Sequence, residues 1–250
     1  MFLVNIYMLC SPEESTHSFK FPTYIGYFSY IARGKNLLLS EKFSDNTSGD
    51  MMVVSMQNAD ESVTLPIYAE CKKRGYSAVF LDTDELPKKE NSNIFSKVSE
   101  SLEKHGLSTF CPLAFANFCP RSIPVADGTV TGGVFEDELA NFKKRHHRIG
   151  ISISRIISRF EMPVSDAEGT LLTPTDLRRF LQAFDGNVFF SPQLITNYFL
   201  LSTCGSKCGY ILFDDADTIS KKLRTAKKLG FSDVFLIQRE ISDIARDIRI

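Results

Sequence analysis

The sequence predicts an α/β chain folded around a mainly parallel sheet, and three observations carry that prediction. Short apolar or β-branched runs recur along the chain with few alternating polar residues, as expected of strands covered on both faces. Amphipathic stretches with start and stop signals lie between most of them. Strand–helix alternation of this kind demands parallel neighbours joined by crossovers. Eight such strands in 250 residues fit a (β/α)8 barrel, whose functional end is at the C-terminal ends of the strands. A doubly wound open sheet fits the same periodicity.

Taken in order, strands are expected over residues 3–9, 23–31, 51–56, 77–84, 107–115, 149–153, 188–190 and 233–237. A weak helix covers 62–74 and stops before Gly75. Residues 91–105 put Ile94, Phe95, Val98 and Leu102 on one face, with Gly106 as the stop. Residues 134–146 align Phe135, Leu139 and Phe142. Thr173, Pro174 and Asp176 read as an N-cap, a first-turn proline and an early acid, ahead of Leu177, Phe180, Leu181 and Phe184 at helical spacing. Residues 215–229 turn Ile219, Leu223 and Ala226 inward, carry Lys227 and Lys228 in the last turn, and end at Gly230. The stretch from about 160 to 213 lies between two strand–helix units and reads as an insertion in a single domain spanning 1–250.

Composition narrows the function classes. Forty-three per cent hydrophobic residues can bury a proper core, and 24 per cent charged residues exclude a disordered or fibrous chain. With 29 Lys+Arg against 30 Asp+Glu the formal charge is −1, which leaves no cationic excess for a phosphate backbone, so nucleic-acid binding is not expected. No segment approaches the roughly 20 apolar residues of a membrane span. The apolar start, residues 1–10, lacks a basic region and meets Ser11-Pro12-Glu13-Glu14 instead of a cleavage site; it reads as a buried strand and not as a signal peptide. Cysteines at 10, 71, 111, 119, 204 and 208 form no CxxC, so reduced thiols are expected, and no metal or other cofactor is signalled.

The most informative segment for chemistry is residues 75–85, Gly-Tyr-Ser-Ala-Val-Phe-Leu-Asp-Thr-Asp-Glu. On a strand, Phe80, Asp82 and Asp84 share one face, and the two carboxylates sit about 7 Å apart, close enough for one to raise the pKa of the other. Alternatively, residues 82–85 begin the next loop and merely solvate or cap it. The run Lys143-Lys-Arg-His-His-Arg148 reads as cations closing a helix in preference to an anion patch. Cys204 and Cys208 read as free thiols of a hairpin loop.

Residues 78–84, Ala-Val-Phe-Leu-Asp-Thr-Asp, resemble the fourth-strand signature D-x-x-D-x-D-x-E of family 18 glycoside hydrolases, in the flavour of its spore-cortex branch. Other segments resemble the family in the same order: 3–9 the first strand, 23–30 (Thr-Tyr-Ile-Gly-Tyr-Phe-Ser-Tyr) the second, 51–58 the third and 148–163 a later one. The best match is 212–223, Leu-Phe-Asp-Asp-Ala-Asp-Thr-Ile-Ser-Lys-Lys-Leu, which with Ala226, Gly230 and Val234 is similar to the approach to the eighth strand.

That resemblance implies a barrel and a polymer of N-acetylglucosamine, such as chitin, peptidoglycan or spore cortex, as partner. It also implies a substrate-assisted retaining mechanism, in which an acid protonates the glycosidic oxygen while an Asp orients the acetamide that attacks. By position Asp84 falls on the acid and Asp82 on the orienting Asp, and Tyr30, Asn58, Phe160 and Gln238 fall where sugar contacts are expected. The departures are specific. The acid is an Asp and not a Glu, the inner Asp is Phe80, the sixth-strand region near 127–133 lacks the expected tyrosine and acid, and the chain has no Trp. A barrel distorted around strand six is therefore expected, recognising an N-acetylglucosamine polymer with little or no hydrolysis, in the cytoplasm or associated with spores. The competing expectations are an active divergent glycosidase using Asp84 and Asp82, and a structural spore protein that binds no sugar.

Overall fold

The computed structural model describes residues 4–14, 23–39, 48–162, 169–202 and 208–249. In chain order the first half contributes β1 (Asn5–Cys10), β2 (Tyr24–Arg33), β3 (Asn36–Leu39), β4 (Met51–Ser55), α1 (Thr64–Arg74), β5 (Ala78–Asp82), α2 (Lys89–Lys104), β6 (Ser108–Pro112) and β7 (Ile123–Asp127). Then follow α3 (Phe135–Arg145), β8 (Gly150–Ser152), β9 (Ile157–Glu161), β10 (Thr170–Leu171), α4 (Pro174–Ala183), β11 (Phe189–Ser191), β12 (Thr196–Ser202) and β13 (Cys208–Phe213). The chain closes with α5 (Ala216–Lys228), β14 (Asp233–Ile237) and α6 (Gln238–Ile241).

Eight parallel strands, in the order β1-β14-β8-β7-β6-β5-β4-β2, return to β1 through the β1–β2 pairing and close a (β/α)8 barrel. The closed barrel decides between the two architectures the periodicity allowed. Strand β3 folds back antiparallel along the outside of β2. Between the seventh and eighth barrel strands a separate antiparallel sheet, β10-β9-β13-β12-β11, packs against α4.

Most of the expected helices form where the pattern puts them. Thr173 Oγ1 accepts the Asp176 N–H at 3.1 Å, and the Asp176 carboxylate accepts the Thr173 N–H in return, so the predicted cap starts α4. Strand six differs from expectation. It is β7, whose Pro124 argues against a strand in the sequence, and it pairs in parallel with β6 and β8. The irregularity lies in its connection, where a 3-10 turn at Leu113–Phe115 replaces the crossover helix. The run at 188–190 belongs to the inserted sheet and not to the barrel.

Aromatic rings fill the barrel interior. Phe235 stacks on Tyr7 at 5.0 Å and meets Phe110 at 5.4 Å and Phe80 at 5.5 Å, all in one buried cluster. Glycine makes room for this cluster at two points. A Cβ on Gly26 would stand 2.6 Å from Leu9 Cδ2, and one on Gly150 would stand 3.1 Å from the Phe235 ring. Two further apolar clusters join the outer faces of the strands to α1 and α2 on one side and to α3 and α5 on the other.

One buried ion pair fastens the insertion to the barrel. Lys222 Nζ of α5 lies 2.7 Å from Asp214 Oδ2, and both side chains are almost wholly out of solvent. The same carboxylate accepts the Ile156 N–H at 2.8 Å and the Thr196 hydroxyl at 3.1 Å, so both of its oxygens are hydrogen-bonded.

Two stability outcomes follow. Phe235→Ala leaves a void among three rings and lowers the unfolding free energy by about 3–5 kcal/mol in urea titrations. Lys222→Met strands a buried carboxylate and costs about 3–5 kcal/mol, whereas the double change Lys222→Met with Asp214→Leu recovers much of that loss.

Candidate functional site

The site to consider is the mouth of the barrel at the C-terminal strand ends. Side chains alternate along each strand, so the residue two beyond a buried interior residue reaches the mouth on the same phase. On β5 this places Asp82 above Phe80. The main chain there is held by the Met56 N–H, which donates to Asp82 O at 2.8 Å. Burial pushes the Asp82 carboxyl above its ordinary range, the nearby Asp84 charge adds to the rise, and the Thr83 backbone N–H opposes it.

Asp84 does not share that setting. It falls beyond the end of β5 in a bend and is exposed. Glu85 turns toward the start of α2, where it accepts from Asn91 Nδ2 at 3.3 Å. Asn58, in the left-handed conformation at φ 60°, lines the same pocket of about 200 Å³ as Glu85, beside α2. Asn58 and Asp82 therefore flank the ends of neighbouring strands.

The remaining expected sugar contacts lie in packed layers. The second-strand pairing slips between Tyr27 and Tyr30, and this bulge turns Tyr30 to the outside of the barrel. Its hydroxyl shares a 2.8 Å hydrogen bond with that of Tyr76, and the side chain is buried under α1 and α2. Phe160 is buried in the inserted sheet, stacked on Tyr210 at 4.9 Å. Gln238 does stand at the end of the eighth barrel strand, but it is buried and donates from Nε2 to Glu14 O at 2.5 Å. It joins that strand to the segment after β1. Cys208 is a free, exposed thiol at the start of β13, and Cys204 lies outside the described residues.

The mouth also holds groups that the sequence reading did not single out. Asp127 ends β7, two residues beyond the interior Val125, and its Oδ1 accepts the Thr129 N–H at 2.8 Å. Without strand six its phase could not be assigned. Glu240, just past β14, is held by the Arg155 N–H at 3.2 Å. Burial raises its pKa, Asp127 adds to the rise, and the Arg155 N–H with the Arg239 and Arg155 charges opposes it. Arg239 places its guanidinium 5.7 Å from the centre of the Phe28 ring, which packs against the interior cluster. A pocket of about 280 Å³ runs from Arg155, Arg239 and Glu240 to Leu172, Thr173 and Pro174 of the insertion.

The mouth thus gathers carboxyls from the ends of the fourth and sixth barrel strands and from the helix after the eighth, two of them held toward the protonated form, with two guanidiniums and a half-buried aromatic ring. Such a set can donate and accept hydrogen bonds to a neutral polar ligand and cradle its apolar face. Among the described residues no group of three or more His, Cys, Asp and Glu is arranged to hold a metal ion, and no helix is long and apolar enough to cross a membrane.

No protein-family model matches the sequence, and no curated protein does either. Solved structures do. The spore cortex-lytic enzyme SleL of Bacillus megaterium is 11% identical with a TM-score of 0.68, over 100% of this chain and 74% of that one. A chitinase from Chromobacterium violaceum is 10% identical with a TM-score of 0.64, over 93% of each chain. A GH18 chitinase from Cycas revoluta, solved with (GlcNAc)4, is 9% identical with a TM-score of 0.61, over 97% of each chain. The chain therefore has the barrel fold of family 18 glycoside hydrolases, as the order of its motifs implied.

Asp82 gives a pH-dependent outcome. Its folded pKa stands above the ordinary 3.8, so ionising it costs stability: the cost is absent below 3.8 and full above the raised value. Asp82→Asn therefore raises the urea midpoint at pH 7, and the gain over the parent closes as the pH falls to about 3. A gain of equal size at both pH values would mean that the carboxyl's ionisation is not its source.

Proposed function

We propose that the chain recognises an N-acetylglucosamine-containing polymer, of the chitin or peptidoglycan type, at the mouth of its barrel, and hydrolyses it slowly or not at all. The observation that carries this reading is the parting of the two β5 carboxyls, with Asp82 kept on the interior phase and Asp84 exposed beyond the strand. A general acid must come within hydrogen-bond reach of the glycosidic oxygen. Shortening it by one methylene retracts the oxygens by about 1.5 Å, and a misplacement of about 1 Å costs on the order of 100-fold in rate. Asp82 keeps what binding needs: a half-sheltered carboxyl able to donate to an acetamide oxygen when protonated or accept from its N–H when ionised. The bound (GlcNAc)4 of the Cycas chitinase supports the ligand class, and the likeness to SleL supports a role at the spore envelope.

An active divergent glycosidase, with Asp84 as acid and Asp82 as acetamide orienter, is favoured by a specific feature. Two carboxyls at the mouth, Asp82 and Glu240, are both shifted toward their protonated forms. A purely structural role would instead leave the polymer unbound.

Purified spore-cortex peptidoglycan and chitin oligomers separate the three. Pull-down of the wild-type chain with either polymer, weakened about tenfold in Asp82→Ala, together with no new reducing ends above an Asp84→Asn control, is the expected result. Turnover lost in Asp84→Asn establishes the enzyme, and neither binding nor turnover establishes the structural role.

A further inference from the structure

We propose that the opposite, N-terminal face of the barrel carries a binding site for a compact oligophosphate, built from the end of α3, the start of β8 and the turn before β7. Two contiguous pockets of about 370 and 910 Å³ open there, and Arg145, His147 and Arg148 line both. Arg121 and His146 complete the smaller, and Lys144 the larger. No acidic residue lines either one.

The charge there is unspent. Some cations elsewhere have carboxylate partners: Lys97 with Glu61, Lys221 with Asp217, Lys228 with Glu136. Among the described residues none pairs with Arg121, Lys144, Arg145 or Arg148. Helix α3 keeps its acids, Glu136, Asp137 and Glu138, in the first turn, so none stands three or four residues from Lys144 or Arg145. The buried acid Asp233 lines neither pocket and accepts hydrogen bonds from Asn5 and Ser232.

Helix-dipole compensation accounts for part of this set only. It covers Lys143, Lys144 and Arg145 in the last turn of α3, and Lys143 is committed to the carbonyls of His147 and Gly230. It does not reach Arg121, which comes from another segment, or Arg148, beyond the helix. Guanidiniums from separate segments turned on one concavity are the arrangement that grips phosphate oxygens in forked pairs. Two joined pockets suit a ligand with linked phosphates, and the overall charge of −1 disfavours a long nucleic acid, whose other phosphates would meet repulsion.

The test is calorimetry of the full chain with orthophosphate, pyrophosphate and tripolyphosphate at low salt. Tripolyphosphate is expected to bind tightest. Arg145→Glu with Arg148→Glu weakens it at least about tenfold, while the charge-matched control Lys104→Glu with Arg178→Glu leaves it unchanged. Arg121→Ala, a change in an exposed turn, weakens it about threefold or more and supplies the answer should the double variant misfold, as judged by circular dichroism. No binding by the wild-type chain, equal loss in the control, or a duplex DNA binding more tightly than tripolyphosphate at the same residues overturns the proposal.

Discussion

The junction between the barrel and its inserted sheet is organised around the Asp214–Lys222 ion pair. Burying two charges is expensive and is recovered only when geometry is close and the remaining hydrogen-bonding capacity is used. Here one carboxylate takes an ammonium from a barrel helix, a backbone N–H from the entry to the inserted sheet and a hydroxyl from β12. Arg155 adds a further tie, donating from Nε to Asp214 O at 3.0 Å and from Nη1 to Glu240 O at 3.1 Å. Through Arg155 the same junction reaches the barrel mouth. The insertion wall and Glu240 are thus tied to the same junction, the first through the Asp214 carboxylate and the second through Arg155.

At the mouth, burial is what separates groups of like chemistry. Asp82, sheltered above the aromatic plug, is held toward its neutral form, whereas Asp84, two residues on, stands in solvent. The plug is itself a consequence of composition. Phe80 takes the interior position below Asp82, and with Phe110, Phe235 and Tyr7 it fills the space with ring area instead of polar groups. A chain rich in Phe and without Trp plugs its barrel with rings, and Phe28 meets the Arg239 guanidinium above them.

What was legible in the sequence was what local chemistry specifies. The capped helices and the all-apolar strands could be read from spacing, and the run from Leu212 to Leu223, whose Asp214 and Lys222 turn out to be the buried pair, from its resemblance to the family. The sixth strand could not, because a five-residue segment with an internal proline carries almost no periodic signal, and its loss hid Asp127. Tyr30 was misleading for a different reason. A bulge shifts side-chain phase by one, and nothing in an otherwise regular alternation announces it. Phe160 and Gln238 sit in long-range packing, with partners 50 and 224 residues away, that no local pattern encodes.

The inserted sheet leaves the barrel chain and rejoins it at adjacent points, since Ile157 at its start pairs directly with Phe213 at its end. A segment whose two ends already touch adds little loop-closure entropy to the chain that hosts it. In evolutionary terms this makes the wall beside the mouth an exchangeable module: its length and loops can be rewritten, or the cassette swapped, while the barrel continues to fold around the same seam. Diversification of ligand shape in such a chain would then proceed through this cassette, while the eight strands keep the packed interior and the carboxyls at their ends.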